Sequence, residues 1–101
     1  MIHITQLIYL KEGQEETFDV FEAIAIPTIA KYGGTLLLRS RLTGQNFIEG
    51  SIEQPYEIHL VSFDNEDQLK AFFQDEERKQ VVHLKDQSIR EVWLIQGERI
   101  A

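Results

Sequence analysis

Four segments rich in β-branched and aromatic residues alternate with two stretches of helical period, in the order βαββαβ. That order constrains the fold more than any other feature of the chain, because right-handed connections leave few ways to assemble it. Residues 2–10 read as the first strand. From Glu15 onward Phe18, Phe21, Ala25, Thr28 and Tyr32 recur three to four residues apart, as one face of a helix does. Glu15, Glu16 and Asp19 crowd its start, where the helix dipole favours negative charge. Pro27 removes one backbone hydrogen bond, which predicts a kink or a break into two helical pieces. Gly33-Gly34 then ends the helix. Residues 35–42 form a second strand and residues 56–63 a third. Between them lies a loop punctuated by Gly44, Asn46, Gly50 and Pro55, in which Phe47-Ile48-Glu49 is expected to extend an edge. Asp64 or Asn65 caps a second helix that buries Leu69, Phe72 and Phe73. Asp75-Glu76-Glu77 marks a break before a further helical turn carrying Val81, Val82 and Leu84. Residues 90–96 form the last strand, closed by Gly97.

Two βαβ units combined in this way give an α+β, ferredoxin-like domain: a four-stranded antiparallel sheet with its helices on one face. At 101 residues the chain, positions 1–101, makes one such domain and no second core. With 43% hydrophobic and 27% charged residues it has the composition of a globular protein. No apolar run reaches the roughly 18 residues of a membrane span. The first residues lack the basic start of a secretory signal. Cysteine is absent, which excludes disulfides and thiol nucleophiles and fits a reducing cytoplasm. A net charge of −7 repels phosphate backbones, so nucleic acid is not an expected partner.

The strands are apolar on both alternating sets. Ile2, Ile4 and Ile8 alternate with Leu7 and Tyr9; Ile58 and Leu60 with Val61 and Phe63; Val92 and Leu94 with Trp93 and Ile95. A strand facing solvent on one side alternates apolar with polar residues instead. The sheet face away from the helices therefore needs a cover, and a second copy of the chain supplies it most simply. A homodimer is expected.

Ala30-Lys31-Tyr32-Gly33-Gly34-Thr35-Leu36-Leu37 resembles the Tyr-Gly-Gly helix-to-strand junction of the bacterial domain-of-unknown-function family 1330. Ile48-Glu49-Gly50 resembles that family's Glu-Gly after the second strand. Ser62-Phe63 and the acidic cap beyond it resemble the exit of its third strand. The resemblance spans nearly the whole chain and implies a dimeric α/β barrel, in which two ferredoxin-like sheets face each other. It implies no particular reaction. The wider superfamily includes cofactor-free and haem-degrading monooxygenases. The haem-degrading members resemble the chain around residues 78–83. That likeness implies a haem-binding role for His83, while Phe73 and Gln6 stand where those members carry tryptophan and asparagine.

The residues offer a second site. His3, Thr5 and Tyr9 share one face of the first strand; Arg39 and Arg41 share one of the second; Glu57, His59, Val61 and Phe63 share one of the third. If these sets all point away from the helices, His3, Arg39 and His59 cluster beside Trp93 in an apolar cavity. Arginine suits a carboxylate or phenolate, and histidine moves protons near neutral pH. The expected ligand-binding residues are Arg39, Arg41, Tyr9, Trp93 and Glu49, with His59 and His3 as proton carriers. The two arginines have a simpler alternative role, pairing with Glu57 or Glu49. No short His-x-x-x-His spacing, Gly-rich phosphate loop or nucleophile elbow is present, so neither a metal nor a cofactor is expected. The function expected is binding of a small acidic or aromatic molecule in a cavity at the sheet. The alternative is a monooxygenase-like enzyme, cofactor-free or haem-dependent.

Overall fold

A computed structural model describes residues 1–100. The elements run in the order β1 (Ile2–Leu10), α1 (Glu15–Lys31), β2 (Thr35–Arg41), β3 (Glu57–Phe63), α2 (Glu66–Phe73), α3 (Glu76–Gln80), α4 (Val82–Ser88) and β4 (Ile89–Gly97). The strands form one antiparallel sheet in the order β2-β3-β1-β4, as the ferredoxin-like reading requires.

α1 packs on the sheet through the buried residues Phe18, Phe21, Ala25, Thr28 and Ile29. It is one helix of 17 residues and continues through Pro27, so the expected break into two pieces does not occur. Pro27 lies on the exposed side, where losing one backbone bond leaves the buried face intact. At the C-terminus Gly33 takes φ 77°, and its amide and that of Gly34 donate to Ala30 and Ile29. A Cβ on Gly34 would lie 2.6 Å from the Phe63 ring, so the helix end meets the core closely.

The second helical region differs from its expected form in having three pieces. Asn65 caps α2 by accepting from the Gln68 amide, and Asp75 caps α3 by accepting from that of Arg78. Asp75 is buried and also accepts from Lys31 Nζ at 2.7 Å and Tyr32 Oη at 2.6 Å. The acidic cluster thus opens a new helix and ties it to α1. Residues 47–49 form no strand, and Ile48 is exposed.

The inward face of the sheet carries Ile4, Ile8, Val61 and Phe63, all buried. An irregularity in β2 sets which of its side chains join them. Leu36 pairs with Val61, but Leu38 pairs with Leu60, so Leu37 is an extra residue in the strand. Beyond it Arg39 stands opposite His59 and Arg41 opposite Glu57. Without the bulge, strict alternation from Leu36 would send both arginines to the other face.

That outer face carries Leu7, Leu38, Ile58, Leu60, Trp93 and Ile95. Leu38, Trp93 and Ile95 are 48%, 47% and 51% exposed. The accessible surface is 6514 Å2, against about 5,900 Å2 expected of a folded monomer of this mass. No helix among the described residues is long and apolar enough to cross a membrane.

Candidate functional site

Glu57 lies at the centre of a charged cluster on the inward face and is 1% exposed. Arg39 donates to it from Nε at 2.8 Å and from Nη2 at 3.1 Å. Arg41 donates from Nε at 2.8 Å and again from Nη2, which also reaches Asp19 at 2.8 Å. On the other side His59 Nε2 lies 2.7 Å from Glu57 Oε1. Burial alone would raise the carboxyl's pKa, but the hydrogen bonds from His59, Arg39 and Arg41 outweigh it and hold it at about 2. Glu57 is therefore a carboxylate and accepts only, which places the His59 proton on Nε2.

His59 is buried. It lines a chamber of about 50 Å3 between the sheet and the helices. The walls are mostly apolar, with Phe21, Val61, Phe63 and Phe72 among them; the polar members are Gln6, Glu22, His59 and Arg78. A neighbouring cleft of about 250 Å3 shares Gln6, Phe21, Glu22, Phe73 and Arg78 with the chamber. It continues past Lys85 on α4 toward Val92 and Leu94 on β4. Glu22 and Arg78 thus stand where the deep space meets the wider one.

Glu22 is buried and Arg78 half-buried. Glu22 is 7% exposed. Burial pushes its carboxyl above the ordinary value, and the neighbouring His59 and Arg39 only partly offset this. The Nε of Arg78 is buried with no hydrogen-bond partner among the described residues. The guanidinium stacks near Phe73, Phe72 and Phe21, 5.2, 5.3 and 5.9 Å from the ring centroids. Glu22, His59 and Arg78 therefore line one largely apolar space. The chamber itself falls far short of the roughly 300 Å3 of a small-molecule pocket, so the room for an apolar body and a polar end lies in the adjoining cleft of about 250 Å3.

The expected cluster of His3, Arg39 and His59 is divided by the sheet. Ile4 and Ile8 take the inward face, so period-two alternation sends His3, Thr5 and Tyr9 outward. His3 pairs with Ser62, not with the His59 set. Tyr9 is buried beneath the long loop, its hydroxyl donating to the Glu53 carbonyl at 2.8 Å. Trp93 lies half-exposed on the outer face and donates from Nε1 to Glu91. Glu49 is exposed in the loop; Arg41 pairs with Glu57 and Asp19 instead. Arg39 and Arg41 serve Glu57, the simpler of their two expected roles. Of the expected residues, His59 alone lines the chamber.

His83 is exposed on α4 and lines neither the chamber nor the cleft, although Gln6 and Phe73 line both. The residues do not fit a haem: the histidine lies outside the cavity, and a 50 Å3 chamber is too small for a macrocycle. No group of three His, Asp or Glu side chains able to hold a metal ion occurs among the described residues.

Glu22 and Arg78 are absent from the residues expected on sequence grounds. Glu22 had a signal: it lies four positions after Phe18 and three before Ala25, within the apolar stripe of α1. Arg78 comes after an acidic run and looks like an ordinary surface arginine.

The fold is ferredoxin-like, and known structures share it. A protein of unknown function from Rhodopseudomonas palustris superposes with a TM-score of 0.81 at 14% identity, covering 99% of this chain and 82% of that one. A dimeric ferredoxin-like protein of unknown function from a Jannaschia species gives 0.71 at 16% identity, covering 97% and 98%. Another dimeric protein of unknown function, from Bacteroides fragilis, gives 0.70 at 12%, covering 97% and 95%. No family model matches the chain, that of family 1330 included, and no curated protein matches it.

Proposed function

We propose that the protein is a homodimer, each subunit of which binds a small aromatic acid between its sheet and helices. One observation carries the binding reading: the Nε of Arg78 is buried without a hydrogen-bond partner where the chamber meets the wider cleft, beside Glu22, Phe21 and Phe73. Leaving such groups unsatisfied costs stability, and a ligand that pairs with them recovers it. Arg78 and Lys85 supply the positive charge for a carboxylate, and Lys85 forms no ion pair with any described residue. Phe21, Phe72 and Phe73 supply the surface for a ring. The exposed Leu38, Trp93 and Ile95 on the outer face support pairing with a second copy, as does the dimeric state of the Jannaschia and Bacteroides neighbours.

Titration of the purified protein with phenylacetate, monitored by calorimetry, tests the binding reading. Arg78→Met is expected to weaken binding at least tenfold, while the exposed Lys70→Ala leaves it unchanged. Equal affinities in the two variants would remove Arg78 from the site.

A further inference from the structure

Resting on the reading of the cleft as a small-molecule site, we infer that Asp75 is a positioning residue for it, holding Arg78 in place by latching the short helix α3 to the end of α1. α3 has five residues and buries none of them. A helix that short does not persist on its own hydrogen bonds. What fixes it is the residue before it. Asp75 is 2% exposed, and its two carboxylate oxygens have separate tasks. Oδ1 accepts from the Arg78 amide at 2.9 Å and so caps α3. Oδ2 accepts from Lys31 Nζ at 2.7 Å and from Tyr32 Oη at 2.6 Å, both at the C-terminal end of α1.

The latch bears on the site because of what each helix carries. α1 brings Phe21 and Glu22 to the cleft, and α3 brings Arg78. The guanidinium Nε has no hydrogen-bond partner among the described residues, and the rings of Phe21, Phe72 and Phe73 attract the cation without fixing its direction. Its place therefore follows from where the backbone of α3 starts. The carboxylate that accepts from the Arg78 amide sets that start. Hydrogen bonds from Lys31 and Tyr32 hold the Asp75 carboxyl well below the usual carboxylate range, so it stays ionised and the latch stays closed. With the latch broken, α3 loses its tie to α1 and Arg78 its place beside Glu22. Charge alone predicts the opposite effect. Asp75 is an anion whose field reaches Arg78, so neutralising it without movement would favour an anionic ligand. Position and charge thus act on affinity with opposite signs.

Phenylacetate is the probe, titrated by calorimetry into the full chain as wild type, Asp75→Asn, Arg78→Met and the double variant. Asp75→Asn keeps the acceptor that caps α3 but turns an amide donor toward the donors of Lys31 and Tyr32. It is expected to weaken binding at least fivefold in the wild-type background and less than twofold on top of Arg78→Met. A merely structural loss would be the same in both backgrounds. Binding undiminished or tightened by Asp75→Asn, or an equal loss with and without Arg78, overturns the inference. The binding reading still stands in that case, provided that Arg78→Met alone is weakened. Arg78→Met binding as well as the wild type removes the reading and the inference together. If Asp75→Asn does not fold, Tyr32→Phe serves instead. It keeps the charge and the cap, removes one donor to Oδ2, and should weaken binding at least twofold only where Arg78 is present; an unchanged affinity overturns the inference.

Discussion

The carboxylate of Glu57 and the imidazole of His59, two residues apart on β3, lie 2.7 Å from each other on the same face of the strand. Opposite the imidazole, Arg39 and Arg41 hold the same carboxylate. The strand's two-residue period brings the pair together, and the bulge in β2 brings the arginines. Together they hold a charge in the interior that burial alone would expel.

Glu57 links this cluster to acid stability. Its folded pKa of about 2 lies below the ordinary 4.5, so its contribution is complete above pH 4.5 and is lost as pH falls toward 2. A shift of that size is worth on the order of 3 kcal/mol. Urea unfolding between pH 2 and 7 should show a steep fall in stability for the wild type across this window. Glu57→Gln should be roughly 3 kcal/mol less stable at pH 7 and near parity at pH 2. Parallel curves would show that the cluster does not hold the charge.

Glu22 has the opposite sign. Its carboxyl is raised by burial, so the folded state binds its proton more tightly and stability falls as pH climbs above 4.5 through the folded value. Glu22→Gln removes this loss. It should gain on the order of 1 kcal/mol at pH 8 and much less at pH 4, a size common for stabilising single changes. Thermal melts at the two pH values suffice, and an equal effect at both contradicts the raised value.

In the proposed homodimer the outer sheet face forms the interface. Sedimentation at micromolar concentration should give twice the 11.8 kDa chain mass. Leu38→Asp combined with Ile95→Asp places charge on two exposed apolar positions of that face and should yield monomers. A monomeric wild type would end the argument for pairing.

Deleting Leu37 tests the bulge. Without the extra residue, Arg39 and Arg41 turn outward and Glu57 stays buried without them. Breaking a buried charge pair costs about 3–5 kcal/mol. Denaturant midpoints should therefore fall far more than for Leu37→Ala, which keeps the residue count. Similar losses in the two variants would mean that the arginines reach Glu57 either way.

Element order was legible in the sequence because strand and helix periods differ clearly, and Gly33-Gly34 and Asn65 sit where chain ends require them. The two-sided apolar strands likewise announced an outer face with exposed apolar residues such as Leu38, Trp93 and Ile95. The site was less legible. Choosing the inward set of each strand requires knowing which alternation packs under the helices, and both sets were apolar. His59 was found as a residue type, but its partners depend on a bulge that leaves no mark in the residues around Leu37. Pro27 misled for a related reason: its effect depends on which side of α1 it occupies.

The extra residue at Leu37 also affects how this chain can be compared with others of its fold. Matched position by position against a strand of regular pairing, everything beyond Leu36 would be assigned to the wrong side of the sheet. Arg39 and Arg41 would then correspond to surface positions, and Leu38 and Ser40 to interior ones. At identities of 10–16% among the neighbours, a single gap placed on either side of Leu37 decides whether another protein is credited with this charged cluster. Counting strand partners from Glu57 outward, rather than residues from the Gly-Gly turn, avoids the error.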